Sequence, residues 1–342
     1  MINFLILFIC LICIVFAANL FCNALEHLGE KLNISEGVTG SIFAAVGTAL
    51  PETIIPIIAI AGFNKSNVNA EIGVGAILGA PLMLSTLSVF VMAVSVLKRR
   101  GVTGMIKPEP TGLKRDLRFF LFGYLLAFLA IFTQKLSAHA FINGVIAVTL
   151  GLSYFLYILL TIKSSSKLVE EGNNTEAEEP LFLTRLKFSQ NYFTIVLQLL
   201  IALMILVYFA DMFISSVNMV ATLYKLSPFL LSLVVIPIAT EMPEKINSIL
   251  WLRKGKDTLA IGNITGAMVF QGSLLPILGI LFTNWSLDNP LPLISILITL
   301  IATLWFYFNV NRNNIRVWHF GINGLLYIIN IAVCIAFGYN HG

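Results

Sequence analysis

The hydrophobic positions of this chain come in long unbroken blocks. Apolar stretches of about 20 residues, enough for a helix to cross roughly 30 Å of hydrocarbon, recur between short polar breaks. Ten are present, at residues 3–22, 38–61, 71–97, 117–133, 138–162, 191–216, 227–251, 258–283, 290–309 and 315–338. They predict an all-α polytopic membrane protein with ten transmembrane helices. The first block has no basic residue ahead of it and no soluble segment after it, so it reads as a spanning helix and not as a signal peptide.

One long polar segment interrupts the pattern. It contains SSSKLVEEGNNTEAEEP between Lys163 and Lys187, with too few apolar residues to form a core. The expected organisation is therefore a membrane repeat over 1–162, a cytoplasmic linker over 163–190 and a second membrane repeat over 191–342. Five spans precede the linker and five follow it. Five is odd, so the second set must enter the membrane in the opposite direction.

The two halves also match in sequence. Ala18, Asn19, Leu20 and Phe21 correspond to Ala210, Asp211, Met212 and Phe213 at a displacement of 192, and Ser35 corresponds to Ser227. At the same displacement Thr48, Pro51 and Glu52 of GTALPE correspond to Thr240, Pro243 and Glu244 of IATEMPE. Each half continues into a small-residue pattern, Gly75, Gly79, Ala80 and Gly262, Gly266, Ala267. Small residues four apart let helix backbones approach closely in lipid, which explains these glycines without any chemistry. The expected architecture is two inverted five-helix repeats.

Composition strengthens this reading, with 58% hydrophobic residues, 11% charged and a mean hydropathy of +0.91. The formal net charge of +4 is a topology signal, because Lys and Arg are retained on the cytoplasmic side. The odd-numbered loops carry the basic residues, among them Lys98, Arg99, Arg100, Arg115, Lys163, Arg253 and Arg316, whereas the even-numbered loops hold only Lys65, Lys135 and Lys225. Both termini are predicted to lie outside the cytoplasm, with the chain a multi-pass protein of a cell (inner) membrane. No basic soluble module suggests a nucleic-acid partner. Cys10, Cys13, Cys22 and Cys334 lie in apolar stretches, and His27, His139, His319 and His341 are scattered, so neither type forms a metal cluster in sequence. Trp285, Trp305 and Trp318 fall near predicted span ends, as an interfacial belt requires.

The chemistry concentrates at the intramembrane carboxylates. Glu52 and Glu244 each sit near the middle of an apolar span, where a charge costs at least about 2.5–3.5 kcal/mol. Each follows a proline, which removes a backbone hydrogen bond and leaves a carbonyl one turn back to face an ion. Thr48 and Thr240 stand four residues earlier, on the same helical face. Two carboxylates, two threonines and free carbonyls near the bilayer midplane form the oxygen-only set of a transporter site for a hard cation such as Ca²⁺. The bland alternative is a pair of glutamates neutralised by protonation or by Lys245. Glu241 and Lys245 lie four apart on one helix, the order that favours an ion pair. They either neutralise each other, or Lys245 replaces a bound cation, or Glu241 carries a proton.

At these residues the sequence resembles the calcium/cation antiporter superfamily, in particular its sodium/calcium exchanger branch. The motifs are GTALPE (Gly47 to Glu52), ATEMPE (Ala239 to Glu244), GNITGAMVFQ (Gly262 to Gln271) and a degraded GAILGAPLML (Gly75 to Leu84). The resemblance implies that Glu52 and Glu244 bind the cation and that Thr48 and Thr240 supply ligands. Spans two, three, seven and eight would form the ion-binding bundle, with spans one and six sliding across it. Glu241 and Gln271 complete the candidate ligands, while Asn19, Asp211 and Lys245 become candidate gate or pathway residues. Positions that carry sodium-ligating serines in the family are Ala49, Ala80, Ala267 and Glu241 here, and Leu84 and Gln271 stand at its amide or carboxylate positions. Alanine and leucine offer no side-chain oxygen, which argues against the family's three-sodium coupling.

The expected function is thus secondary-active antiport of Ca²⁺ against Na⁺ or H⁺, with inorganic cations and the lipid bilayer as partners and no bound cofactor. The alternatives are a divergent exchanger for another cation and a non-transporting sensor or scaffold that keeps the fold. The chain carries no HExxH, no GxSxG elbow and no phosphate-binding GxxxxGK loop, which argues against an enzyme or an ATP-driven pump.

Overall fold

In lipid a backbone must satisfy its own hydrogen bonds, and helices do so locally. The computed structural model describes residues 2–31, 50–61, 67–169, 180–186, 188–224, 227–283, 285 and 290–338. In chain order the helices are α1 (Ile2–Lys31), α2 (Leu50–Ala61), α3 (Asn67–Met83), α4 (Val89–Arg100), α5 (Pro110–Ala130) and α6 (His139–Val169). The second half follows with α7 (Tyr192–Tyr224), α8 (Pro228–Thr240), α9 (Met242–Arg253), α10 (Asp257–Phe282), α11 (Pro290–Asn311) and α12 (His319–Gly338). Among the described residues seven helical segments are long and apolar enough to cross a membrane, and they coincide with predicted spans three, four, five, six, eight, nine and ten. At the other three predicted spans stand shorter apolar helices, Leu5–Phe21, Pro51–Ala61 and Pro228–Ile238.

A π-turn, Leu84–Ser88, joins α3 to α4. Local chemistry favours it, because the Ser85 and Thr86 hydroxyls both donate to the Leu82 carbonyl and compete with the helical ladder. The Asn323 amide of α12 donates to the Ser85 carbonyl at 2.7 Å, satisfying an acceptor in the turn from outside. No such turn interrupts α10, the counterpart in the second half.

Packing between helices is reciprocal across the two halves. Helix α2 packs on α3, and α9 on α10; α3 packs on α8 and α11, while α10 packs on α2 and α5; α5 packs on α6, and α11 on α12. The interior has two principal parts. One joins α3–α6 to α8–α12. The other joins α1 and α7 to α2 and to one side of α3 and α8. Helix α6 is peripheral: Phe141, Val148, Leu152 and Phe155 are exposed along it, as a lipid-facing helix requires.

The glycines of the two small-residue patterns differ in use. A Cβ at Gly75 would lie 2.7 Å from the Phe229 carbonyl oxygen, and one at Gly79 would lie 2.7 Å from Pro237 Cγ. These two glycines therefore permit the close approach of α3 to α8. At Gly266 the nearest described atom is the Tyr157 hydroxyl at 3.7 Å, an ordinary contact.

Loops cluster as the charge pattern anticipates. Arg100 holds Asp257 at 2.6 and 2.8 Å, the Lys107 N–H donates to the same carboxylate, and Arg99 reaches the Arg253 carbonyl. Ile106 and Val317 pair with Ile315 and Gly104. Predicted loops three, seven and nine thus meet at one end of the molecule. Phe182 lies against α1, where Asn23 accepts from its N–H and from Gln198 of α7, and Tyr192 of α7 donates to the Lys31 carbonyl at the end of α1. Trp285 departs from the belt expectation. It is buried, its indole N–H donates to the Ala127 carbonyl at 2.9 Å, and Gly279 leaves room for its ring.

Candidate functional site

The polar site forms where α2, α8, α9 and α10 meet. Pro51 lies in the first turn of α2, where its missing N–H costs no helical bond, and Glu52 follows it with only 3% of its surface exposed. In the second half the predicted seventh span is broken. Helix α8 ends at Thr240, Glu241 adopts φ −86° and ψ 2°, and α9 begins at Met242 with a proline in its first turn. Pro243 supplies no N–H to the preceding turn, so the helix yields there. Two bonds still bridge the break, from the Glu241 N–H to the Pro237 carbonyl at 3.2 Å and from the Lys245 N–H to the Glu241 carbonyl at 3.1 Å.

The break turns Glu241 into the interior, where it is fully buried. There it meets Gln271, also fully buried, from the middle of α10. The Gln271 amide nitrogen donates to Glu241 Oε1 at 2.6 Å and lies 3.5 Å from Glu52 Oε1, at the outer limit of a hydrogen bond. A single amide therefore brings a carboxylate of each half within its reach. The Gln271 carbonyl oxygen is buried and has no hydrogen-bond partner among the described residues, so a buried acceptor stands beside two carboxylates. Thr240 is buried one residue before Glu241, and its hydroxyl donates to the Ile236 carbonyl at 3.1 Å.

Lys245 completes the cluster. It is 8% exposed, and its ammonium donates to the Pro237 carbonyl at 3.2 Å and contacts Met83 Sδ of α3 at 2.7 Å. On the next turn of α9, buried Ser248 receives the Asn263 amide at 3.0 Å and ties α9 to α10.

The sequence-predicted site divides as follows. Glu52, Thr240, Glu241, Lys245 and Gln271 lie on elements that pack together, and of these Glu52, Glu241 and Gln271 are brought into direct reach. Thr48 and Ala49 lie outside the described residues. Glu244 is placed in the first turn of α9, but its side chain lies outside what is described. Asn19 and Asp211 are exposed on α1 and α7. Asn19 lines an apolar cleft of about 630 Å³ between α1 and α8 with Leu11, Val15, Leu231 and Val235. Among the described residues no group of three or more His, Cys, Asp and Glu side chains gathers as a metal site. Two contributors had no signal as candidates: Met83, an apolar residue in an apolar run, and Asp116.

Asp116 is a buried carboxylate on α5 that accepts from Thr265 at 2.8 Å and from Tyr157 at 3.2 Å. It anchors α10 to α5 and α6. The oxygen donors assembled around Glu52, Glu241 and Gln271, carrying negative charge in an enclosed site, suit a hard cation.

The sequence profile of the family described as "Sodium/calcium exchanger protein" matches residues 2–163 and 194–336. The inner membrane protein YrbG of Escherichia coli (strain K12) is 24% identical over 83% of this chain and 81% of its own. Among solved structures, that of the H⁺/Ca²⁺ exchanger CAX superposes with a TM-score of 0.69 at 16% identity, covering 99% of this chain and 87% of that one. The sodium-calcium exchanger NCX_Mj superposes with a TM-score of 0.55 at 18% identity, covering 97% of this chain and 98% of that one. These two structural likenesses are likenesses of fold.

Proposed function

The chain belongs to the sodium/calcium exchanger protein family, and from that premise we propose that it exchanges Ca²⁺ for Na⁺ or H⁺ by alternating access at a site near the bilayer midplane. The observation that carries the proposal is the enclosed set in which the Gln271 amide reaches both Glu241 and Glu52. A buried carboxylate pair that shares one donor and has an amide oxygen to spare is poised to take a divalent cation. Glu244 and Thr240 on the broken segment, with Thr48 before α2, are the further ligands of this reading.

Ten spans in two inverted repeats, with both termini extracytoplasmic in a cell (inner) membrane, form its architecture. The reciprocal packing of the halves and the meeting of basic loops at one end support it. Alternating access would carry α1 and α7 across the remaining bundle, with exposed Asn19 and Asp211 along the pathway. An exposed carboxylate midway along a 33-residue apolar helix calls for a water-filled path beside it.

Reconstitution in liposomes tests the proposal. ⁴⁵Ca²⁺ uptake is followed first under a Na⁺ gradient and then under a pH gradient, with Glu52→Gln and Glu244→Gln as controls. Uptake that requires both glutamates supports the site and identifies the coupling ion. No uptake under either gradient overturns the calcium assignment.

A further inference from the structure

Lys245 has a position in the site that exchange itself does not require. Lysines in spanning helices normally extend toward an interface, where the ammonium stays hydrated. Lys245 does not. Eight residues of α9 separate it from Arg253, about 12 Å at the helical rise of 1.5 Å per residue. Helical side chains also lean toward the N-terminus of their helix, which here means toward the break at Glu241. The side chain follows that direction, because its ammonium rests on the Pro237 carbonyl of the preceding segment.

That carbonyl receives two groups, the Glu241 N–H and the Lys245 ammonium, each at 3.2 Å. The second contact is the one a metal ion makes with a helix carbonyl exposed at a break. Met83 Sδ lies 2.7 Å from the same ammonium. A carbonyl oxygen and a thioether sulfur thus both contact a single positive charge carried one turn past Glu241, the buried carboxylate that accepts from Gln271.

We propose that Lys245 is a tethered cation: its ammonium permanently fills one cation position of the site, so the chain itself supplies part of the positive charge that balances the buried glutamates. The inference rests on the antiport reading and deepens it. Its consequence is stoichiometric. Each cycle moves one fewer free monovalent cation than it would if that position were open.

The test compares Lys245→Met and Lys245→Gln with Lys245→Arg. Na⁺-dependent thermal stabilisation of the purified full-length protein is measured, together with the charge moved per Ca²⁺ in proteoliposomes. A tethered cation predicts that the neutral variants fold, that their half-saturating Na⁺ concentration falls by about tenfold or more, and that the charge per Ca²⁺ changes by one. Lys245→Arg should keep the wild-type values. Neutral variants that fold and keep the wild-type Na⁺ response and charge ratio overturn the proposal. So does loss of folding in both neutral variants when Lys245→Arg folds, which would assign the ammonium a structural role only. Failure of the antiport reading looks different: wild type and Glu52→Gln would both be inert in transport, while the Na⁺ response of the purified variants still decides the role of Lys245.

Discussion

Replacing Gly79 with alanine should loosen the site from a distance. Helix α3 crosses α8 at Gly75 and Gly79, and a Cβ on Gly79 would press on the Leu233 carbonyl and lie 2.7 Å from Pro237 Cγ. Carbon atoms are comfortable at about 3.5–4.0 Å, so the helices must part by roughly 1 Å. Neither a backbone carbonyl nor a proline ring can swing aside. Overpacking of this kind costs about 1–3 kcal/mol, and the absence of a flexible neighbour places it at the upper end. Alanine's better helix propensity offsets about 1 kcal/mol, leaving a net loss of about 2 kcal/mol. The displacement also separates Met83, one turn further along α3, from Pro237, and these two hold Lys245 between them. The measurement is thermal unfolding in detergent alongside ⁴⁵Ca²⁺ uptake. Gly151→Ala is the control: on α6 the nearest atom to its Cβ is Ile277 Cδ1 at 4.0 Å, and it should gain stability. A Gly79→Ala protein as stable and active as wild type would refute the tight crossing.

Three other changes test separate parts of the structure. Gln271→Leu removes the amide that reaches Glu241 and Glu52, and hydrogen bonds to charged groups contribute about 1.5–3 kcal/mol each; thermal stability and cation uptake should both fall, and unchanged values would deny the bridge its role. Asp257→Asn weakens the two-pronged contact with Arg100, which is partly solvent-screened, so a double-mutant cycle with Arg100→Gln should give a coupling of about 1–2 kcal/mol. Glu109 caps α5 by accepting the Thr111 and Gly112 N–H groups at 2.7 and 2.8 Å. Burial pushes its pKa up, but these hydrogen bonds and nearby Arg115 outweigh that and hold it below the usual carboxylate range. Its contribution is therefore present above the ordinary carboxylate pKa and lost as pH falls through the lowered folded value. The stability gap between wild type and Glu109→Gln should close in acid, and a gap that widens would contradict the cap.

Much of this was legible in the sequence because a bilayer imposes simple rules. Block length anticipated the seven long apolar helices, loops three, seven and nine, which the placement of Lys and Arg puts on one side, meet at one end, and internal matching pointed to the family confirmed by its profile. Proline beside glutamate foretold a broken seventh span, and the matched motifs singled out Glu52 and Glu244, while Glu241 and Gln271 entered the candidate set as departures from the family pattern. The partnership of Glu52, Glu241 and Gln271 was not legible, since it depends on how far α10 is rotated against α2. Even the glycine patterns, nearly alike in sequence, serve differently: Gly75 and Gly79 admit a neighbouring backbone, whereas Gly266 meets only an ordinary contact. Trp285 sits near a span end as a belt residue would, yet the gap left by Gly279 draws it inside. For Lys245, spacing could not foretell that its ammonium reaches back to the Pro237 carbonyl, a contact made where the helix breaks at Glu241.

The π-turn at Leu84–Ser88 gives one long helix two registers. In α-helical geometry each residue advances about 100°, and a π-turn accommodates one residue more than that winding requires. Before the turn α3 addresses α2, α8 and α10; beyond it α4 addresses α9 and α12. In genetic terms, the tract carries one codon beyond what unbroken winding needs: losing it would close the turn into ordinary α-helix and leave Val89, Met92, Ala93 and Val96 facing the interior together, whereas losing a codon from the regular winding of α3 would swing that face by about 100°. A tract that looks like interchangeable apolar filler thus holds a spare residue, which α10, wound without such a turn, does not.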